Sequence, residues 1–280
     1  YLIFNIRSDP YVCVHETIFF IVNINIFYIN SFYYKYISYV IMIVFIIPYR
    51  DRYYHKVHFD KYMEYILEDY DKDEYRFLFV HQQDDLPFNR GAMKNIGFLY
   101  VKENYTNYKD ITLVFNDIDT IPAEKGLLDY KTRHGVVKHF YGFKYALGGI
   151  VSITAGDFEK VNGFPNYWNW GYEDNVLNMR INQNKSMTID RDTFFSIGSM
   201  EILHEVDSFK KFYVNKQPPQ NKHYSENDGI HNVNVSKWNF DPSTNFLNVM
   251  QYTCKNTVDY SKIHVDHVVS ASAKEIMKNK

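Results

Sequence analysis

Cysteine is nearly missing from this chain: 280 residues carry two, Cys13 and Cys254. That leaves no disulfide framework, and nothing demands an oxidising compartment. A basic excess is missing as well. The formal charge of −2 excludes a general nucleic-acid binder, so no nucleic-acid partner is expected. The first 41 residues lack glycine, alanine and methionine altogether. They read as a leader outside the folded domain, an upstream stretch translated in frame, with the protein proper opening at Met42 in "MIVFIIPYRDR". A membrane anchor around Thr17–Phe32 is the alternative. Asn23, Asn25 and Asn30 interrupt it, and asparagine is costly in hydrocarbon, so no stable membrane insertion is expected. Residues 42–280 then form one domain of ordinary size.

What is present is apolar and aromatic: 46% of the chain is hydrophobic and 18% aromatic, enough for a substantial core. "MIVFIIP" is an apolar run of strand length, too short for a helix. Phe59, Met63, Ile66 and Leu67 follow at helical spacing. "YRFLFVH" (75–81) is a second strand, and Ala92, Met93, Ile96, Leu99 and Tyr100 mark a second helix. "ITLVF" (111–115) is a third strand. Alternating strands and helices predict an α/β fold of the doubly wound kind, whose ligand lies beyond the carboxyl ends of the strands. Those ends read "PYRDR", "HQQDDLPFNR" and "NDID". Further on, "YALGGIVSIT" (145–154) predicts a strand, and "NGFPNYWNWGYEDNVLNMRI" (162–181) a Gly/Trp-rich loop entering a helix. Beyond His204 no repeat and no second domain boundary are legible.

Asp-x-Asp occurs four times, as Asp69/Asp71, Asp71/Asp73, Asp117/Asp119 and Asp190/Asp192. Most such pairs are solvated turns. Asp117 and Asp119 stand apart because they end a central strand, where a divalent metal, an arginine or water must separate them. Oxygen ligands there suit Mg²⁺ or Mn²⁺. Arg50 and Arg52 offer phosphate-binding forks or are surface arginines; Phe88 and Arg90 offer an aromatic face and a third guanidinium. Trp168 and Trp170 offer faces on which sugars stack. Asp174 suits a general base with Glu173 beside it, or the two acids simply cap a helix. His204 gains meaning only beside Asp119. His264, Asp266 and His267 form a rival cluster whose alternation reads as a strand.

Taken in order, "IIPYRDR", "FNRGAMKNIGF", "FNDIDTIP", "LGGIVSIT", "NGFPNYWNWGYEDN" and a later histidine resemble the β-1,4-galactosyltransferase family. The resemblance implies a GT-A fold: a Rossmann-like nucleotide-binding half with a mixed sheet, joined to a smaller acceptor-binding half. It implies inverting transfer of a hexose from a uridine diphosphate (UDP) sugar to a sugar hydroxyl with Mn²⁺. By position, Pro48, Tyr49, Arg50 and Arg52 hold the UDP, and Phe88, Asn89 and Arg90 flank uracil and ribose. Asp117, Ile118 and Asp119 reach the nucleotide and metal, while Ala146 and Gly148 line the sugar. Trp170 closes over donor and acceptor, and Gly171, Tyr172, Glu173, Asp174 and Asn175 meet the acceptor. Asp174 is the base and Glu173 its support. Asp119 and His204 bind the metal, with Glu201 standing where the family has a methionine; that harder ligand implies tolerance of Mg²⁺.

In galactose-specific members a tyrosine crowds the N-acetyl group of larger donors, and Ala146 occupies that position here. UDP-galactose and UDP-N-acetylgalactosamine are therefore both expected donors, with a glycan as acceptor. The family's "GGED" is "GYED" here, its cysteines around the metal motif are absent, and no stem is evident. The first departure argues against an N-acetylglucosamine acceptor; the absent cysteines and stem predict a cytoplasmic enzyme of a virus or microbe rather than a Golgi-type enzyme anchored through the leader. The competing functions are a non-catalytic glycan- or nucleotide-binding relative and a metal-dependent phosphohydrolase.

Overall fold

A computed structural model describes residues 42–168, 172–205 and 228–254, together with the backbone of two short strands at 211–214 and 265–268. The expectations for residues 1–41, Trp170, Gly171 and His264 lie outside the described residues.

β1 (Ile43–Tyr49) is buried along its whole length. The reason is a division of labour along the strand. Val44 and Ile46 pack into one core with α2 (Arg90–Asn104), while Ile43, Phe45 and Ile47 pack into another with Phe59 and Met63 of α1 (Tyr53–Ile66). A strand covered by helices on both faces must be apolar at every position, which is why it reads as a continuous run. β2 (Tyr75–Gln82) and β3 (Thr112–Asn116) flank β1 and run parallel to it. Their carboxyl ends therefore meet at one edge. These three strands and two helices agree with the sequence expectation.

The rest of the sheet is mixed. β6 (Ile150–Thr154) pairs antiparallel with β3, and β5 (Val136–Gly142) antiparallel with β6. β7 (Thr188–Asp190) and β8 (Phe195–Ser196) add to β5. At the other edge, β12 (Phe246–Cys254) lies parallel to β2 and carries β11 (Val233–Asp241) as its hairpin partner. Trp238 and Phe240 of that hairpin rest on Tyr100 of α2. A small ladder joins β4 (Thr120–Pro122) to β9 (Ile202–His204), and β10 (Lys211–Val214) pairs with β13 (Val265–Val268). The Asp266–His267 stretch is thus a strand, as its alternation suggested. The short α3 (Ala155–Lys160) follows β6, and α4 (Glu173–Gln183) follows the Gly/Trp-rich loop.

The strand expected over 145–154 is shorter than its sequence implied. Gly149 has φ +72°, which turns the chain before Ile150. Its carbonyl accepts the Asp117 N–H at 3.0 Å, locking that turn to the end of β3.

Candidate active site

Asp117 and Asp119 flank a stapled turn. Buried Asn116 donates through Nδ2 to the carbonyls of Asp117 and Thr120, both at 2.8 Å. The Thr120 hydroxyl and N–H return to the Asp117 carbonyl at 2.9 and 3.0 Å. With the backbone so constrained, the two carboxylates stay close despite their repulsion. Asp119 responds as physics requires: burial first, and Asp117 second, raise its pKa against the opposing charges of Arg90, His204 and Arg52. Ile118 between them is core rather than surface.

An arginine answers part of the charge. Nη1 of Arg90 donates to Oδ2 of Asp117 at 3.1 Å, and its Nε lies 3.8 Å from Oε1 of Glu173. Burial opposes the guanidinium charge, but Asp117, Glu173, Asp174 and Asp119 outweigh it and hold the Arg90 pKa above its ordinary value. Arg90 is thus shared between strand-end and helix-end acids. It is positioned by Asn89, which caps α2 by accepting the Ala92 N–H at 2.8 Å. Asn89 also donates to the Asn166 carbonyl at 3.1 Å, so its polar atoms serve the scaffold.

Arg50 is engaged differently from the phosphate fork expected of it. Its Nη2 meets both the carbonyl and Oδ1 of Asp84, at 2.7 and 2.9 Å, and its Nε reaches the Gln82 carbonyl at 3.3 Å. Nη1 donates to the Leu86 carbonyl. Arg50 therefore braces the loop that delivers Phe88, over whose ring it lies at 5.8 Å. Pro48 is buried in β1, and the Tyr49 ring packs edge-on against His81 and Phe246. Arg52 precedes α1 and lies close enough to act on the charge of Asp119.

His204 enters through the β4–β9 ladder, where it pairs with Thr120. Its Nδ1 lies 3.0 Å from the Tyr141 hydroxyl. That contact occupies one ring nitrogen and leaves Nε2 for a ligand, the usual arrangement around a metal-binding histidine. Burial raises the Tyr141 pKa, so the phenol stays neutral beside it. Tyr141 had no signal in the sequence beyond its place in an aromatic strand. Glu201, expected as a third ligand, stands just before β9, where its carbonyl accepts the Ala123 N–H at 2.8 Å. Glu201 is exposed, and among the described residues no group of three or more His, Cys, Asp and Glu side chains is placed to hold a metal.

Glu173 and Asp174 form the first turn of α4, entered through Tyr172 in the left-handed conformation at φ +69°. The Leu147 N–H donates to the Asp174 carbonyl at 3.0 Å, tying the helix end to the Ala146–Gly149 turn. A Cβ on Gly148 would collide with Oδ2 of Asp174, so glycine is the residue that lets the carboxylate sit there. Oδ1 accepts from Nζ of Lys94 at 2.9 Å. Burial above all, with Glu173 and Asp117, pushes Asp174 up to about 7 despite Lys94 and Arg90. Some 19% of the side chain stays exposed, so the carboxylate is enclosed yet reachable. Asn175 contacts the Tyr145 carbonyl at 3.4 Å. Trp168 stacks on Tyr252 of β12 at 5.9 Å, so this tryptophan anchors the loop.

Two family profiles match consecutive parts of the chain: the N-terminal region of glycosyl transferase group 7 over residues 36–130, and the N-terminal domain of galactosyltransferase over 135–205. The chain belongs to the β-1,4-galactosyltransferase family. Among curated relatives, the xylosylprotein 4-β-galactosyltransferase of Caenorhabditis elegans is 29% identical over 175 residues, covering 59% of this chain and 58% of the relative. The β-1,4-galactosyltransferase 1 of Mus musculus is 34% identical over 155 residues, covering 52% of this chain and 38% of the relative. The matched region thus spans little more than half of the first and well under half of the second. The catalytic domain of Drosophila β1,4-galactosyltransferase 7, solved with xylobiose, superimposes with a TM-score of 0.61 at 20% identity, covering 79% of this chain and 97% of that one. A mutant of the Drosophila enzyme, solved with manganese, UDP-Gal and xylobiose, gives 0.60 at 19% identity. The fold is GT-A. One expectation falls: the curated relatives are β-galactosyltransferases of animals, which overturns the cytoplasmic viral or microbial placement. Among the described residues no helix is long and apolar enough to cross a membrane.

Proposed function

We propose that the chain is a metal-dependent inverting glycosyltransferase, moving galactose from UDP-galactose to a sugar hydroxyl of a glycan acceptor. The observation that carries this is Arg90, which pairs with Asp117 at the strand edge and faces Glu173 at the start of α4. Acids suited to a nucleotide diphosphate and acids suited to an acceptor hydroxyl thereby meet at a shared cation. The unit concerned is residues 42–280, because the buried central strand begins at Ile43.

In this reading the acceptor hydroxyl gives its proton to Asp174 as its oxygen bonds the anomeric carbon. The bond from that carbon to the diphosphate breaks, and its electron pair leaves with UDP. A single displacement from the opposite face inverts the carbon. Glu173, held by Arg90, orients the acceptor. Phe88 stands by to face the uracil, and Arg50 acts by fixing the loop that carries it. Asp119 and His204 suit a divalent cation: the carboxylate carries an uncompensated repulsion from Asp117, and the histidine keeps Nε2 available. Mn²⁺, the ion named in the fold relative's complex, would supply charge neutralisation for the leaving diphosphate if held there.

The test is UDP release from UDP-galactose with Mn²⁺, with and without an array of glycan acceptors. Acceptor-dependent release supports transfer. Equal release without acceptor supports a phosphohydrolase, and binding without release supports a non-catalytic relative.

A further inference from the structure

Lys94 is a lysine where a helix should carry none. It lies on the inward face of α2, one turn beyond Arg90, and is 1% exposed. A lysine this deep must find an anion or lose its proton. Its Nζ lies 4.4 Å over the Phe164 ring and 2.9 Å from Oδ1 of Asp174, the sole carboxylate paired with it among the described residues.

Resting on the proposed function, we propose that Lys94 is the positioning residue of the base: by holding Oδ1 it turns the Asp174 carboxylate so that Oδ2, beside Gly148, receives the acceptor's proton. The geometry has two jaws. The ammonium fixes one oxygen, and the missing Cβ of Gly148 makes room for the other. Proton accounting is complete at the carboxylate: the acceptor O–H bond breaks and the proton joins Oδ2. The groups facing Asp174 are Lys94 and Arg90 from α2, Asp117 from the end of β3, and Glu173 from α4 itself. The two cations lower its pKa, while burial and the two acids raise it, to about 7. Removing the Lys94 charge therefore moves the Asp174 pKa further up, and the ionised base becomes scarcer at neutral pH.

The test uses the full chain with Lys94→Met, matched in length, and Lys94→Gln, which keeps a hydrogen-bond donor without the charge. The pH profile of kcat is measured at saturating donor and acceptor, beside a titration of the Asp174 carboxyl by ¹³C NMR in the free protein. In both variants the acidic limb should move up by about one unit or more. That corresponds to roughly a tenfold loss at pH 6, which recovers by pH 9 in Lys94→Gln, with donor KM unchanged in both. Lys94→Met should also lose rate at high pH, where orientation alone matters, and Lys94→Gln should retain it. An unmoved limb and titration in a folded Gln variant overturn the inference. So does an equal loss at every pH in both variants, the mark of a merely structural lysine. If the wild type transfers no sugar, the proposed function fails and with it the role as base-positioner; the carboxyl titration then separately reports whether Lys94 holds Asp174.

Discussion

Asp119 at the end of a strand and Asp174 at the start of a helix are both acids whose pKa burial has raised. Their neighbours differ. Asp119 faces another carboxylate first, with its opposing cations shared among several groups, whereas Asp174 holds a lysine of its own at 2.9 Å. The strand-end site is therefore incomplete in charge and suited to recruiting a cation with its nucleotide. The helix-end site is nearly complete in charge and suited to exchanging a proton. Under the proposed function, one fold edge would separate a cation's work from a proton's through what each carboxylate is packed against.

The sharpest way to break this comparison is Asp119→Asn. We expect Mn²⁺-dependent transfer to be abolished, as measured by UDP release. Because the folded pKa of Asp119 lies above its unfolded value, its ionisation destabilises the metal-free protein as pH rises through that range. The Asn variant should then melt at the same temperature as wild type or higher at pH 7, and should lose the stabilisation that Mn²⁺ confers on wild type. A variant still stabilised by Mn²⁺ would place the metal elsewhere.

Removing the Asp174 carboxylate, unlike that of Asp119, strands a buried cation. Asp174→Asn should lower kcat by roughly a hundredfold or more with donor affinity little changed. Asp174→Ala leaves the Lys94 ammonium buried with no partner and should cost about 3 kcal/mol in denaturant unfolding. A collapse of donor binding in the Asn variant would make Asp174 a helix cap rather than a base.

The strand-end half was far more legible in sequence than the helix-end half, and the reason is local. β1, β2 and β3 are apolar runs, and α1 and α2 bury residues at helical spacing, so periodicity alone reveals them. The Asp117–Asp119 turn follows directly from strand β3. The β11–β12 hairpin escaped notice because many of its positions are half-exposed and polar, and what places it is parallel pairing with β2, about 165 residues away. Lys94 escaped because a lysine among Met93, Asn95 and Ile96 reads as an exposed position. The available signal was its i+4 relation to Arg90, which puts it on the face directed at the site. Arg50 was read as a ligand because its tight bracing of residues 82–86 is visible only in three dimensions.

The smallest expected effect concerns donor choice, on the turn that ties the two acids' surroundings together. Ala146 is 7% exposed and its N–H bonds the Phe143 carbonyl at 3.0 Å. It lies two residues before Gly148, whose Cα abuts the Asp174 carboxylate. The neighbouring Tyr145 is turned outward: it is 64% exposed and its ring stacks on Phe143 at 5.2 Å. Tyr145 therefore does not refill the space that a tyrosine at 146 would take. A pocket excludes a larger ligand by clash but rejects a smaller one weakly. We expect UDP-N-acetylgalactosamine to be used at least as well as UDP-galactose in a direct donor competition. Ala146→Tyr should shift that ratio toward galactose by roughly tenfold, the scale of a modest steric change in a pocket. Because the substitution touches neither the Asp119 charge nor the Lys94–Asp174 pair, the Mn²⁺ requirement and the acidic limb should stay as in wild type. An unchanged donor ratio would remove Ala146 as the gate, while a shifted limb would show that the turn couples donor choice to the base.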